Sequence, residues 1–114
     1  MKIDKSLMTG STTMLILKLL EMEDMYGYMM IERLESISNN IFSLKAGTLY
    51  PILHNLEQQG MILSYEGEAV NNRPRKYYSI TKSGKKMLSE KKSEWNIFSS
   101  AVNNVLGGAE FAGI

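Results

Sequence analysis

The spacing of apolar residues along the chain changes at Gly60. Before this glycine, apolar residues recur every three or four positions, which is the period of an α-helix with one buried face. After it, residues 61–67 and 75–80 are rich in β-branched and aromatic residues and are separated by the polar segment EAVNNRP, which predicts two strands of a hairpin with a long tip. From Thr81 the helical period returns. The chain is therefore predicted to be mainly α-helical with a small two-stranded β-hairpin.

Two helices are predicted at the start of the chain, over residues 7–22 and 26–37. The first has a wide apolar stripe, as a mostly buried helix requires, and Asp24 is placed to cap the second. The polar segment 38–40 predicts a loop. The apolar residues assigned to the interior are Leu15, Leu19 and Met22 in the first helix, Tyr28, Ile31 and Leu34 in the second, and Ile41, Phe42 and Leu44 after the loop.

The third helix, AGTLYPILHNLEQQG from Ala46 to Gly60, divides clearly into two faces. One side carries Leu49, Ile52, Leu53 and Leu56, and the other carries Gly47, Pro51, His54 and Gln58. Gly60 is predicted to follow the helix end in a left-handed conformation, which glycine adopts without the steric strain that a side chain causes. Pro51 removes a helix hydrogen bond and presses on the carbonyl of Gly47, although a helix start near Lys45 would leave it only just beyond the first turn. This cost on an exposed face invites a functional explanation.

A long helix is predicted from Thr81, with that threonine as its cap. Its apolar seam follows the spacing of a coiled coil, interrupted in its earlier part by Lys91, and consists of Leu88, Trp95, Phe98, Val102 and Val105. Because little of the chain is left to cover this seam, a second copy is the natural partner. The chain is thus predicted to contain a folded domain over residues 1–80, a dimerisation helix over 81–106 and a flexible tail over 107–114.

The composition of the chain limits the classes of protein to which it could belong. The 114 residues fit one domain, and the absence of cysteine excludes disulfides, zinc–cysteine clusters and thiol chemistry. No signal peptide or membrane-spanning stretch is recognisable, so the cytoplasm is expected. The net charge is only +1, but residues 45–114 carry 9 Lys and Arg against 6 Asp and Glu. On charge alone, this half of the chain suits either a phosphate partner or a solvated surface.

Three helices followed by a hairpin is the order of a winged helix-turn-helix. The segments YGYMMIERLE, GTLYPILHNLEQQGMI and RPRKYYSITKSGK resemble, in order and spacing, the signature segments of the PadR family of bacterial transcriptional regulators. This resemblance implies a homodimer that binds a palindromic operator and represses transcription until a small molecule lowers its affinity for DNA. The short final helix with an aromatic centre further resembles the subgroup of PadR-like regulators that bind flat drugs at the dimer centre.

The resemblance places the DNA surface on the third helix and on the hairpin, or wing. Short residues at a helix start let backbone N–H groups approach phosphates, and arginines add charge and bidentate bonding. The residues assigned to DNA are Gly47, Thr48, Tyr50 and Pro51 from GTLYP, the flanking Lys45, His54 and Asn55, and Arg73, Arg75 and Lys76 on the wing. Alternatives stay open, since Tyr50 could pack partly under the wing and the charged residues could simply be solvated.

Trp95 has two interpretations. A lone tryptophan in a helical seam more often belongs to a dimer core, but two facing copies across an open centre would stack planar aromatic molecules between them. The residues assigned to such a cavity are Met8, Ser11, Thr12, Trp95, Phe98 and Ser99. Because Ser99, one turn after Trp95, is not acidic, no preference for cationic ligands is expected.

The leading hypothesis is a homodimeric DNA-binding repressor whose partners are double-stranded DNA, a second copy and a small aromatic effector. The alternative is a winged-helix module that binds protein without binding DNA, which the near-neutral net charge allows. An enzyme is not expected, because one exposed histidine, His54, and scattered carboxylates form no recognisable catalytic set. No cofactor or metal is expected either.

Overall fold

The computed structural model describes residues 3–108 and has the element order of a winged helix. Its helices are α1 (Lys5–Thr9), α2 (Thr12–Met22), α3 (Gly27–Ile37), α4 (Ala46–Gln58) and α5 (Lys82–Asn103), and its strands are β1 (Met25–Tyr26), β2 (Ile62–Val70) and β3 (Arg73–Ile80). The three strands form one antiparallel sheet in the order β1–β3–β2. The predicted fold class is confirmed, with one strand more than the sequence pattern indicated.

The predicted first helix is two helices separated at Gly10 and Ser11. The hydroxyls of Ser11 and Thr12 both donate to the carbonyl of Met8 at 3.0 Å, so side chains compete for an oxygen that a continuous helix would use. The last residue of the predicted stripe, Met22, is exposed at the end of α2. Leu19 is buried as expected.

The predicted core face of α3 is confirmed at Leu34 and in part at Ile31, which packs against the core, but it is wrong at Tyr28. The buried residues of the helix are Gly27, Met30 and Leu34, whereas Tyr28 is 52% exposed. Asp24 does not cap this helix, because Met25 and Tyr26 first pair with β3 and Tyr26 becomes the N-cap. Two residues are too few for an alternating pattern, so periodicity did not indicate β1.

The segment between α3 and α4 is a loop, as predicted, with Asn39 and Asn40 in the left-handed region. Phe42 and Leu44 pack against the core. Ile41, which was predicted to join them, is exposed instead, since it lies directly after the sharp turn at the two asparagines.

Helix α4 ends in a Schellman motif. Gly60 has a φ of 76°, its N–H donates to the carbonyl of Glu57 at 3.0 Å, and the N–H of Met61 donates to the carbonyl of Leu56 at 2.9 Å. These two bonds satisfy carbonyls that the helix end would leave free. The predicted role of Gly60 is confirmed, although the helix itself stops at Gln58.

The hairpin has a tight tip, which corrects the long tip expected from EAVNNRP. Asn71 and Asn72 have φ values of 54° and 63°, the combination required by a two-residue type I′ turn. Asparagine tolerates this left-handed backbone better than most residues. The register shifts between Gly67 and Val70, where a bulge increases the local twist of β2.

One hydrophobic core joins all the larger elements. It consists of Ile16, Leu17, Leu19, Leu20, Met25, Met30, Leu34, Leu49, Leu53, Leu56, Ile62, Tyr78 and Leu88. Thr81 fixes the start of α5 against this core, because its hydroxyl oxygen accepts from the Gly84 N–H at 3.0 Å and lies 2.7 Å from the carbonyl oxygen of Gly60. The predicted cap is therefore confirmed.

The second half of α5 extends away from this core, and the chain measures 60 × 32 × 20 Å along its principal axes. The helix ends at Asn103 and continues in an irregular turn, Asn104–Gly108, in which Gly107 has a φ of 117°. Residues 109–114 of the predicted tail lie outside the described residues. Among residues 3–108, no helix combines the length and apolarity needed to cross a membrane.

Candidate nucleic-acid interface

Helix α4 has one face in the core and one face open to solvent. Leu49, Leu53 and Leu56 are buried, and Ile52 is partly buried. The exposed residues are Lys45 at the N-cap position and then Gly47, Thr48, Tyr50, Pro51, His54, Asn55 and Gln58. All the residues that the sequence assigned to DNA on this helix therefore lie on its exposed side.

The start of α4 leaves its first backbone N–H groups without side-chain partners. Lys45 makes no capping hydrogen bond, and the first turn contains no acidic residue. A side chain at Gly47 would meet nothing within 4 Å, so packing within the chain does not require glycine there. Free N–H groups and close backbone access at a helix start suit an anionic partner.

Tyr50 joins α4 to the beginning of α3. Its hydroxyl lies so close to Gly27 that any side chain at that position would overlap it. The residue nevertheless remains 40% exposed. Tyr50 therefore rests against α3, and its contact with phosphate stays a prediction.

Arg73 lies at the outer end of the wing. It follows directly after the turn at Asn71 and Asn72, and both Arg73 and Pro74 are exposed. The tight turn fixes this part of the hairpin, and proline further restricts the backbone. The structure thus places Arg73 where the sequence expected it.

Lys76 faces α4 and is partly engaged there. Its ammonium nitrogen lies 3.9 Å from a carboxylate oxygen of Glu57 and 5.6 Å from the centre of the Tyr78 ring. Ser64 donates a hydrogen bond to the same Glu57 carboxylate. Tyr78 is 5% exposed and is the core member of the Tyr77–Tyr78 pair, and this burial raises its pKa. Lys76 therefore connects the wing to α4.

Arg75 points to the opposite face of the sheet, because neighbouring residues of a strand alternate. Its guanidinium carbon lies 4.9 Å from the centre of the Tyr26 ring and 5.9 Å from that of Tyr28. Its Nε is buried without a hydrogen-bond partner. The structure therefore separates Arg75 from Lys76, although the sequence grouped them as one basic patch.

An aromatic cluster on this outer face was missed by the sequence reasoning. Tyr77 contacts Tyr26 edge to face, with ring centres 5.5 Å apart, and stacks on Tyr65 at 5.9 Å. Tyr65 donates a hydrogen bond of 2.5 Å to Asp24, which raises the pKa of the Tyr65 phenol. Residues two apart in a strand share a face, and Tyr65 pairs with Tyr77 across the hairpin. This pairing was the only sign of the cluster in the sequence. The cluster fixes the wing to β1.

The seam of α5 divides into two parts. Leu88 is 1% exposed and lies in the core of its own domain, so its assignment to the dimer seam is corrected. Trp95 is 47% exposed and its ring centre lies 6.3 Å from that of Phe98. Val102 and Val105 are exposed as well. The uncovered part of the seam therefore begins after Leu88.

The residues assigned to a ligand cavity lie on two separate parts of the chain. Met8 and Thr12 line a 230 Å³ cleft with Phe42, Leu44 and Lys45, at the start of α4. Ser99 lies on α5 beside Trp95 and Phe98, where its hydroxyl donates to the carbonyl of Asn96 at 3.3 Å. Trp95 is not among the residues that line the cleft. Within one chain, the structure does not bring the six residues into one cavity.

The three-helix core, the exposed α4 and the β2–β3 hairpin define a winged-helix protein. The family model for PadR-like transcriptional regulators matches residues 16–90. An uncharacterized protein of Lysinibacillus sphaericus is 35% identical over 101 residues, covering 89% of this chain and 93% of that protein.

Solved structures agree with this match. A transcriptional regulator from Clostridium thermocellum has a TM-score of 0.80 at 32% identity, covering 87% of this chain and 96% of that chain. A PadR family transcriptional regulator from Eggerthella lenta has a TM-score of 0.77 at 32% identity, covering 90% and 87%. The chain belongs to the PadR-like family and is a DNA-binding transcriptional regulator. This is a family of regulators and not of enzymes, and the protein-binding alternative is not favoured.

Proposed function

We propose that the protein is a homodimeric repressor that binds a palindromic operator and is released by a small, planar aromatic ligand. The observation that carries this proposal is the uncovered apolar part of α5. Trp95, Phe98 and Val102 are exposed although they continue a seam that begins in the core at Leu88. Apolar residues in such a row are normally covered by a partner, and a second α5 offers a matching row.

The dimer gives α4 its function. Two recognition helices reach successive turns of the major groove only when they are about 34 Å apart, and in this proposal the paired α5 helices set that distance. The exposed face of α4 enters the groove, while Arg73 at the wing tip contacts the phosphate backbone. A twofold protein then selects a twofold operator.

Release follows from the same geometry. A ligand that stacks between the two Trp95 rings favours one separation of the winged domains over another. If that separation differs from the one that fits DNA, the ligand shifts the population away from the bound form. The shift is limited by the difference in ligand affinity between the two forms.

DNA binding is tested with a fluorescently labelled duplex from the region upstream of the protein's own gene. We expect the Arg73→Ala/Arg75→Ala double variant to bind more weakly, because two charges next to phosphates are lost. Lys18→Ala/Lys92→Ala removes the same charge from exposed positions on α2 and α5 and should bind normally. Equal affinity of the wild type and the Arg73/Arg75 variant would contradict the assignment of the wing.

Ligand binding is tested through the fluorescence of Trp95, the only tryptophan in the chain. Planar aromatic compounds should quench it and should lower operator affinity at the same concentrations. Quenching without release of DNA would contradict the effector role. Failure of every planar compound to quench would remove the stacking site and leave DNA binding intact.

A further inference from the structure

A cleft of 230 Å³ lies between the junction of α1 and α2 and the start of α4. Met8, Phe42 and Leu44 are partly buried and supply its apolar walls. Lys5, the first residue of α1, and Lys45, the N-cap of α4, line it as well, and no acidic residue of the described chain does. The cleft therefore combines an apolar surface with positive charge only.

The two lysines are not neutralised within the part of the chain that the structure describes. The ion pairs between residues 3 and 108 are Lys18–Glu21, Arg33–Glu23 and Lys76–Glu57. The carboxylate of Asp4, which precedes Lys5, accepts from the N–H of Ser6 at 2.9 Å and from its hydroxyl at 2.8 Å. An anionic group in the cleft would therefore meet two ammonium groups that no carboxylate in residues 3–108 pairs with, and such charged hydrogen bonds are the strong ones.

The hydroxyl groups on the α1–α2 side of the cleft already donate to the backbone. The hydroxyl of Thr9 donates to the carbonyl of Lys5 at 2.8 Å, and that of Thr12 donates to the carbonyl of Met8 at 3.0 Å. A sugar or a nucleotide would bury several polar groups against Met8 and its apolar neighbours, and burial of polar groups without partners is unfavourable. The cleft thus suits a ligand with an apolar body and a negative charge at one end.

We propose that this cleft binds a short alkyl carboxylate and that the bound ligand excludes DNA from the start of α4. The alkyl chain packs on Met8, Phe42 and Leu44, where burial of its methylene groups is favourable. The carboxylate pairs with Lys5 and Lys45. A flexible chain suits these walls, because methionine adapts its shape to the group that it contacts.

The exclusion of DNA rests on the proposed operator binding. Lys45 and Thr48 line the cleft and also belong to the exposed face of α4 that is proposed to meet the duplex. A carboxylate beside Lys45 neutralises a charge that a DNA phosphate would otherwise meet. Trp95 does not line the cleft, so this site is separate from the proposed stacking site between two α5 helices.

Binding is tested with octanoate and the full chain in the absence of DNA, by calorimetry and by NMR of the methionine methyl groups. The Met8 signal, assigned with a Met8→Leu variant, should shift, and the signal of Met22, which is exposed at the end of α2, should stay. Octanol lacks the charge and acetate lacks the chain, so each should bind about tenfold or more weakly. Equal affinity for octanol, or a change in Trp95 fluorescence with an unmoved Met8 signal, would overturn the cleft as the site.

Substitutions separate the charge of the cleft from its apolar wall. Lys5→Gln should weaken octanoate binding about threefold, as for an exposed ion pair, and leave the weak binding of octanol unchanged. Met8→Gln should weaken octanoate binding about tenfold, because a polar group replaces part of the wall. Lys92→Gln, the matched charge control on α5, should bind octanoate like the wild type.

Two results for these variants would overturn the proposal. One is unchanged octanoate affinity in Lys5→Gln, which keeps the test decisive if Met8→Gln does not fold, because Lys5 is exposed. The other is an equal loss of affinity in Lys92→Gln, which would show that the net charge of the protein and not the cleft attracts the anion.

The exclusion of DNA is tested with the upstream duplex. Octanoate should lower the affinity of the wild type for this duplex, whereas acetate at the same concentration and ionic strength should not. Lys5→Gln should need a higher octanoate concentration for the same loss. Calorimetric binding of octanoate with unchanged DNA affinity would overturn the exclusion of DNA. Failure of the wild type to bind the duplex at all would overturn operator binding, and the octanoate titration without DNA would still decide whether the cleft binds the carboxylate.

Discussion

Glycine at position 47 is unfavourable for the stability of the fold but is expected to favour DNA binding. Open space surrounds the position where its side chain would be, and glycine in a helix costs about 1 kcal/mol relative to alanine. Gly47→Ala should therefore raise the free energy of unfolding by up to about 1 kcal/mol and yet weaken DNA binding, because a methyl group would hold the backbone away from phosphate. Urea unfolding measures the expected gain in stability, and DNA titration measures the expected loss of affinity. A variant that is more stable and binds normally would contradict close approach at Gly47.

Gly84 has the opposite role, because its contacts are internal. A side chain there would overlap the carbonyl oxygen of Met61 and would lie 2.7 Å from Cγ1 of Ile80. Since the first turn of α5 would have to move off the sheet, Gly84→Ala should lower the free energy of unfolding by about 1–3 kcal/mol. Gly10→Ala, where a methyl group meets nothing within 4 Å, is the matched control. Equal melting curves for the two variants would contradict the packing at Gly84.

Single residues also show where sequence reasoning succeeds and fails. Gly60 was predictable because a helix end needs a left-handed residue and local spacing marks that end. Tyr28 was placed inside because it precedes Ile31 and Leu34 at helical spacing, but the buried side uses Gly27, and periodicity does not count glycine as apolar. Leu88 and Trp95 share one seam in the sequence. Only the tertiary structure shows that Leu88 is covered by its own chain.

At the scale of elements, the wing is fixed by contacts that join distant parts of the chain. The type I′ tip was within reach of the sequence, since two adjacent asparagines suit its backbone. The third strand was not, because β1 has two residues and its pairing with β3 depends on the whole fold. The Tyr65–Asp24 hydrogen bond likewise spans 41 positions. Contacts between residues so far apart do not produce a periodic pattern in the sequence. The attachment of the wing is therefore visible only in the structure.

This attachment of the wing predicts a pH dependence. The hydrogen bond to Asp24 raises the pKa of Tyr65, so its contribution to stability is present below the unfolded pKa of about 10 and is lost as pH rises through the folded value. Wild type should melt above Tyr65→Phe at pH 7–9, and the difference should disappear at higher pH. Tyr78, whose pKa burial also raises, is common to both proteins and cancels. A difference that persists after Tyr65 ionises would contradict the hydrogen bond as its source.

At the scale of the whole molecule, one helix serves two structural purposes. The first half of α5 completes the winged domain through Gly84 and Leu88, and the second half carries exposed apolar residues beyond it. In the proposed dimer, one helix would belong to both the domain and the interface, so a change in the separation of the two Trp95 residues would also move α4. The proposed ligand response thus needs no flexible linker between the domain and the dimer interface.

This division of α5 predicts different effects for two substitutions in the same seam, one on folding stability and the other on dimerisation. Leu88→Ala opens a cavity in the core and should cost about 2–5 kcal/mol of folding free energy. Val102→Asp places a charge in the proposed interface, where burial without a partner is unfavourable, and should give a folded monomer. Light scattering after size-exclusion chromatography measures the mass, and melting at several protein concentrations separates folding from association.

The operator supplies the second measurement for this pair. A Val102→Asp monomer should bind a single half-site about as well as each wild-type subunit does, and should lose the added affinity of joining two half-sites. Destabilised Leu88→Ala should still bind the full operator as a dimer at temperatures where it remains folded. If Val102→Asp remained dimeric and bound the full operator normally, the partner surface would have to lie elsewhere than on the exposed half of α5.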